Sequence, residues 1–177
     1  DYPGAEIIIV RDFMPGAADT GHEASLKALK DGMKNICHIV GEHPTTPEMM
    51  MGNDPESPTS GPDSMSAFID KAVDGYDQIT LVLVLSGYPI NFTKLKYPER
   101  VKSAVPPKII LAGGANHLGL AGAFESKLVG MYVVDRRNLG QKFDEEEALP
   151  KDMKELFTKR FEVITPDNYK ALAGIEQ

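Results

Sequence analysis

The chain has 177 residues, 42% of them hydrophobic and 25% charged, a composition typical of a single folded domain. Its formal net charge of −7 argues against nucleic acid as a partner, because acidic surfaces repel phosphate. No apolar run approaches the roughly 18–20 residues that cross a bilayer, so no membrane partner is expected. The single cysteine, Cys37, excludes an internal disulfide and a zinc cluster built from thiolates.

Two features bear on where the protein resides. The chain begins with Asp1 rather than Met, which suggests that it is a processed product or a fragment. Asn91-Phe92-Thr93 fits the acceptor pattern for N-linked glycans, a pattern short enough to occur by chance. The location therefore stays open, with an extracellular protein after processing as one alternative.

The first part of the chain alternates between strand and helix patterns. Residues 7–10 are apolar in succession, as in a strand buried on both faces. Apolar residues spaced by three and four then predict a helix, at Leu26, Leu29, Met33 and Ile36. Residues 37–40 form a second predicted strand.

A long proline-rich loop is predicted over residues 41–63. Five prolines interrupt it, at Pro44, Pro47, Pro55, Pro58 and Pro62. Loops of this length are uncommon inside compact domains and often carry function. Met49-Met50-Met51 lies within it, either as a core-filling flap or as a lid over a ligand.

The same alternation continues to the end of the chain, which predicts an α/β fold. The later predicted elements are a helix at 65–73, a strand at 79–85, a short helix at 90–104, a strand at 108–112, a helix passing into a strand over 123–134, a helix after residue 150, a strand at 161–164 and a terminal helix after 165. We therefore expect one domain over residues 1–177, with a three-layer, mainly parallel sheet and helices on both faces.

In such sheets ligands bind beyond the carboxyl ends of the strands, where residues 12–21, 86–91 and 113–122 form loops. Asp12 and Asp19 are able to ligate Ca²⁺ there, and one carboxylate would then act as a general base on a metal-held water. Both residues also suit purely structural roles. Asp12 can cap a turn, and Asp19 is favourable beside a helix N-terminus.

The other two loops carry further candidate ligand residues. Asn91 can form a hydrogen bond with a polar ligand. The sequence of its loop is also typical of a simple strand-to-helix turn. His117 lies in the glycine-rich third loop, which allows close backbone approach to a ligand such as phosphate. The glycine spacing matches neither a dinucleotide fingerprint nor a P-loop, so the glycines also fit a role in turning the chain.

Taken in order, these loops resemble the nucleoside hydrolase superfamily, whose members prefer substrates such as inosine and uridine. The segments R-D-F-M-P-G-A-A-D-T, S-G-Y-P-I-N and L-A-G-G-A correspond to the family patterns D-x-D-P-G-x-D-D, G-P-L-T-N and M-G-G. The resemblance covers about the first 125 residues discontinuously. It implies Asp12, Asp19 and the backbone oxygen of Ser86 as calcium ligands, Asp12 as the catalytic base if the site is active, and Glu125 as a ribose contact.

The chain departs from the family at positions that carry the chemistry. Arg11 stands where an aspartate is usual, and Ala18 where the catalytic base is expected. The asparagines of the family's ribose-binding stretch and a late His-Asp pair are missing from this sequence. These departures predict a nucleoside-hydrolase-like domain that has lost catalysis and serves in binding or assembly, with no cofactor unless a Ca²⁺ site survives.

Two alternatives remain open. One is a calcium-dependent hydrolase of the N-glycosidic bond of nucleosides, and the other is a nucleotide- or phosphate-binding domain. The expected partners are a nucleoside-like small molecule and a second copy of the chain, since the sequence is shorter than typical family members and a truncated sheet would leave an exposed edge.

Overall fold

The structure, a computed structural model, describes residues 4–12, 20–45, 61–100, 105–114, 116–140 and 152–171. The main elements are β1 (Ala5–Arg11), α1 (Thr20–Met33), β2 (Cys37–Pro44), α2 (Pro62–Asp74), β3 (Leu81–Leu85), α3 (Tyr97–Arg100), β4 (Lys108–Ala112), α4 (Leu120–Glu125), β5 (Val129–Asp135), α5 (Met153–Arg160) and β6 (Phe161–Ile164). Short 3₁₀ helices cover Phe92–Lys94, Arg136–Leu139 and Tyr169–Ala171.

In the described part of the chain, six strands form one sheet in the order β2-β1-β3-β4-β5-β6. Strands β1 to β5 run parallel, whereas β6 pairs antiparallel with β5 at the edge. The central strands are runs of Ile, Val and Leu because a parallel strand buries both of its faces. The predicted α/β class and the mainly parallel sheet are therefore confirmed.

Alternate side chains of the strands enter two hydrophobic clusters. The larger cluster joins the sheet to α2 and α4, through residues that include Ile8, Val10, Val82, Val84, Met65, Ile69, Leu120 and Phe124. The smaller cluster contains Ile7, Ile9, Leu81 and Leu83, with Leu29 and Met33 of α1 packed against it. Burying each such side chain contributes about 1.5–3 kcal/mol, so these contacts fix the positions of the strand ends.

Several predicted boundaries differ from the observed ones. Strand β2 continues to Pro44 and α2 begins at Pro62, so both ends of the predicted loop over 41–63 lie in regular structure. Residues 46–60, including the three methionines, lie outside the described residues. The predicted helix over 90–104 divides into a 3₁₀ turn and α3, because the Asp70 carboxylate accepts hydrogen bonds from the backbone amides of Lys96 and Tyr97 between them.

The strand order creates a switch point between β1 and β3. The chain leaves β1 toward β2 on one side, and leaves β3 toward β4 on the other. In open α/β sheets this divergence is where the connecting loops separate and a ligand is able to bind. Two of the three loops predicted to carry the chemistry begin at this place, and the third follows the neighbouring strand β4. None of the helices described has the length and apolar character required to cross a bilayer.

The two-sided burial of the sheet predicts a large cost for truncating a central strand residue. Ile109 of β4 is fully buried, whereas Ile36 is 59% exposed. We expect Ile109→Ala to lower the free energy of unfolding by about 2–5 kcal/mol. The matched control Ile36→Ala should lower it by less than about 0.5 kcal/mol. Urea unfolding of both variants measures the difference, and similar losses would contradict this description of the core.

Candidate functional site

The Asp12 carboxylate joins the carboxyl ends of β1 and β3. The two strands are paired so that Arg11 lies opposite Leu85, which places the next residues, Asp12 and Ser86, side by side. Ser86 Oγ donates to Asp12 Oδ1 at 2.5 Å, and the Gly87 amide donates to Asp12 Oδ2 at 2.9 Å. Hydrogen bonds to an ionised carboxylate are stronger than neutral ones, so this contact holds the acid in one orientation.

The turn after β3 is organised around the Ser86 hydroxyl. Ser86 is buried, and its Oγ also accepts a hydrogen bond from the Tyr88 amide at 3.1 Å. The same turn leaves Tyr88 partly exposed at the sheet edge. The Ser86 hydroxyl thus fixes the orientation of the Asp12 carboxylate and the backbone conformation of the loop after β3.

The glycine-rich loop after β4 approaches Ser86 closely. Gly113 and Gly114 have φ angles of 95° and 75°, in the left-handed region that favours glycine. A Cβ at Gly114 would lie 3.2 Å from the Ser86 carbonyl oxygen and 3.0 Å from Nε2 of His117. The Gly114 carbonyl in turn accepts a hydrogen bond from the Tyr132 hydroxyl at 2.8 Å. A side chain at position 114 would therefore separate the second and third loops.

His117 is buried at this contact. Its Nδ1 accepts a hydrogen bond from the Ile90 amide at 3.0 Å, and the rings of Phe92 and Tyr132 meet the imidazole at steep angles. Its buried Nε2 forms no regular hydrogen bond among the residues that the structure describes, although the Gly113 carbonyl lies close enough to the ring to act on it. Burial lowers the pKa of His117 to about 4, against a smaller raising effect of the Gly113 carbonyl, so the ring is uncharged at pH 7.

Asn91 is buried, and its amide is used within the protein. Its Nδ2 donates to Asp63 Oδ1 at 2.6 Å, and its Oδ1 accepts from the amide and hydroxyl of Thr93. These bonds cap the 3₁₀ turn, and the predicted contact of Asn91 with a ligand stays a prediction. Because Asn91 is buried, the folded protein leaves little room for a glycan on its Nδ2.

Glu125 lies away from the contact between Asp12 and Ser86. It ends α4, which leads from the carboxyl edge back to the start of β5 at the opposite edge. Its Oε1 accepts a hydrogen bond from the Tyr169 hydroxyl at 2.9 Å. The structure therefore brings Asp12, Ser86 and His117 together but places Glu125 elsewhere, and the ribose contact predicted for it stays a prediction.

The predicted calcium ligands are only partly described. Asp12 and Ser86 touch, whereas Asp19 lies outside the described residues. Within the described ranges, no group of three or more His, Cys, Asp and Glu side chains is arranged to hold a metal ion. Calcium binding at this edge stays a prediction.

Arg11, which stands where the family carries an acid, belongs to an ion-pair cluster. Its Nε contacts Glu42 Oε1 at 2.5 Å, Lys30 also contacts Glu42, and Arg11 donates to the Asp12 carbonyl oxygen at 3.3 Å. Burial opposes the charge of Glu42, but hydrogen bonds from Lys30 and Arg11 outweigh it and hold the pKa of Glu42 below its usual range. Glu42 was not among the predicted site residues because it falls in the segment predicted as a loop.

The buried, uncharged His117 predicts a specific dependence of stability on pH. Since its folded pKa of about 4 lies below the ordinary value of 6.5, acid favours the unfolded chain. The stability contribution is fully present above about pH 6.5 and is lost as the pH falls toward 4. Between pH 7 and pH 5, we expect the wild-type chain to lose about 2 kcal/mol more than His117→Asn, which does not titrate. Urea unfolding at both pH values measures this, and equal losses would contradict it.

No model of a known protein family matches this chain, and no curated protein matches it significantly. The resemblance to nucleoside hydrolases therefore rests on the sequence motifs described above. The structure shows an α/β domain in which Asp12 contacts Ser86, and in which Gly114 of the third loop lies close to both Ser86 and His117.

Proposed function

We propose that this chain is a nucleoside-hydrolase-like domain that binds a nucleoside-like small molecule at the carboxyl edge of the sheet without cleaving it. The observation that carries the proposal is the Asp12 carboxylate, held by Ser86 and Gly87 at the switch point of the sheet. The two core clusters and the helices packed against them support the finer assignment of a three-layer, Rossmann-like architecture.

The geometry suits the binding of a hydroxylated molecule. Each carboxylate oxygen of Asp12 has two lone pairs that can accept hydrogen bonds. The protein donates one hydrogen bond to each oxygen, so each can still accept another from a ligand hydroxyl. The oxygens of Asp12 are already oriented by the protein, so a ligand need not order this side chain when it binds. The vicinal hydroxyls of a ribose are donors of the kind that such a fixed acceptor recognises.

The substitutions near Asp12 argue against hydrolysis. Ala18 stands where the base is expected, and the loss of a general base costs roughly 10²–10⁴ in rate. Arg11 places a cation beside Asp12, and its guanidinium already donates a hydrogen bond to the Asp12 carbonyl oxygen. Because Ca²⁺ takes six to eight oxygen ligands, a positive charge in place of an acid and an occupied carbonyl both weaken a calcium site.

One alternative has an observation in its favour. The contact between Asp12 and Ser86 joins two of the three residues predicted to bind calcium, as an active calcium-dependent nucleosidase would require. In that case Asp12 would serve as metal ligand and general base. A phosphate ligand is less favoured, because the Asp12 carboxylate lies at the same carboxyl edge of the sheet and would repel an anion there.

The proposal predicts that nucleosides stay intact. We expect no ribose release above background from inosine, adenosine, uridine or cytidine, with calcium added or with a chelator. A reducing-sugar assay at micromolar protein concentration measures this. Turnover that calcium supports and the chelator abolishes would establish the hydrolase alternative instead.

The proposal also predicts that binding depends on the charge of Asp12. We expect uridine and D-ribose to raise the melting temperature of the wild-type chain, because a ligand that binds only the folded state stabilises it. Asp12→Asn should weaken binding about tenfold or more, since a charge-assisted hydrogen bond contributes about 1.5–3 kcal/mol. The matched control Asp77→Asn changes an exposed acid before β3, outside the three carboxyl-edge loops, and should leave binding unchanged. Equal affinities of the two variants would refute a role for Asp12.

A further inference from the structure

We propose that a cavity between the end of α1 and the start of β2 binds a phosphate monoester with a small apolar body. The cavity has a volume of about 420 Å³ and opens to solvent. It is lined by Lys30, Asp31, Lys34, Cys37, His38 and Ile39. None of these residues belongs to the three carboxyl-edge loops, so the proposal does not depend on the nucleoside site.

Lys34 places an unpaired positive charge at the cavity. It is exposed, and its ammonium group contacts no acid among the residues that the structure describes. Asp31, the acid of the lining, is held by Lys27 instead, at 2.6 Å. An entering anion therefore meets a free cation and need not break an existing ion pair.

Lys30 adds a second cation on the same side of α1. It lies four residues before Lys34, a spacing that places two side chains on one helix face. Lys30 contacts Glu42, but Glu42 also pairs with Arg11, so two cations share one carboxylate. One positive charge is thus left over beside the cavity, and together with Lys34 it suits a doubly charged phosphate group.

This local excess of cations contrasts with the acidity of the whole chain. The formal net charge is −7, which repels anions at long range. At physiological ionic strength, however, charges farther away than about 8 Å are largely screened. The nearby lysines therefore decide whether an anion is attracted into the cavity.

Hydrogen bonds cap the end of α1, where free carbonyl oxygens would oppose an anion. The Lys30 carbonyl accepts from the Lys34 amide at 3.0 Å. The Met33 carbonyl accepts from the Ile36 amide at 2.8 Å and from the Cys37 thiol at 3.6 Å. These bonds reduce the negative potential that a helix presents at its carboxyl end.

The lining also has an apolar part. Cys37 is 8% exposed, and the half-buried Ile39 packs against the smaller hydrophobic cluster. Burial raises the pKa of the Cys37 thiol, so it is protonated and uncharged at pH 7. A ligand that contacts these side chains buries apolar surface, which inorganic phosphate cannot do. The cavity therefore favours a phosphate that carries a small organic group.

The size and the openness of the cavity limit the ligand and its affinity. Cavities of about 300–1,000 Å³ hold small molecules, and this one lies near the lower end of that range. A single aromatic ring with one phosphate is of suitable size. Because the cavity is open, part of the ligand stays in water, and we expect a Kd of about 0.1–1 mM for phenyl phosphate.

The experiment titrates the ¹⁵N-labelled full chain at low ionic strength with phenyl phosphate, inorganic phosphate, benzoate and benzyl alcohol. Phenyl phosphate should shift the backbone amides of residues 31–39. Inorganic phosphate lacks the apolar body, benzoate carries one charge and benzyl alcohol carries none. We expect each of these three to bind more weakly, inorganic phosphate and benzyl alcohol by about tenfold.

A matched pair of variants isolates the contribution of Lys34. Lys34→Gln should weaken the binding of phenyl phosphate about fivefold or more, because it removes a charge-assisted contact. Lys94→Gln is the control, since Lys94 is an exposed lysine of a 3₁₀ turn outside the cavity. Both variants change the net charge equally, and both should melt as the wild-type chain does because both side chains are exposed.

Four results would overturn the proposal. They are no binding of phenyl phosphate at millimolar concentrations, amide shifts confined to residues outside 31–39, equal affinities of the two variants, and binding of inorganic phosphate, benzoate or benzyl alcohol as tight as that of phenyl phosphate. None of them bears on the proposed binding of nucleosides at Asp12, which the uridine titrations test separately.

Discussion

The hydrogen bonds of the Asp12 carboxylate to Ser86 and Gly87 are the interaction on which the candidate site depends. They connect the ends of two neighbouring parallel strands at the point where the chain diverges to opposite sides of the sheet. Without them, an ionised acid at the end of β1 would be free to turn into solvent. With them, an oriented acceptor lies at the carboxyl edge of the sheet, the edge where α/β sheets bind ligands.

The residues around this acceptor combine an ion pair with uncharged hydrogen-bonding groups. Arg11 and Glu42 form an ion pair at the end of β1, where the resembling family carries acids alone. Next to Ser86, the partner of Asp12, lie two left-handed glycines, and the uncharged His117 lies close to Gly114. Such groups form hydrogen bonds with polar, uncharged molecules, and this agrees with binding rather than metal-assisted cleavage.

Local sequence patterns predicted much of the fold and one contact of the site. Runs of Ile, Val and Leu predicted β1, β3 and β4, and the parallel order brought Asp12 beside Ser86 as expected. The polar end of β2 was missed because an edge strand need not be apolar, and Glu42 was missed with it. The approach of Gly114 to Ser86 and the burial of His117 depend on non-local packing with Tyr132, which no local pattern encodes.

A double-mutant cycle between Asp12→Ala and Ser86→Ala tests the central interaction most directly. Urea unfolding of the wild-type chain, both single variants and the double variant gives the coupling free energy. If the carboxylate and the hydroxyl hold the two strand ends together, the coupling should be about 1–3 kcal/mol. Losses that add to within about 0.5 kcal/mol would show that the two residues act independently and would contradict this account of the site.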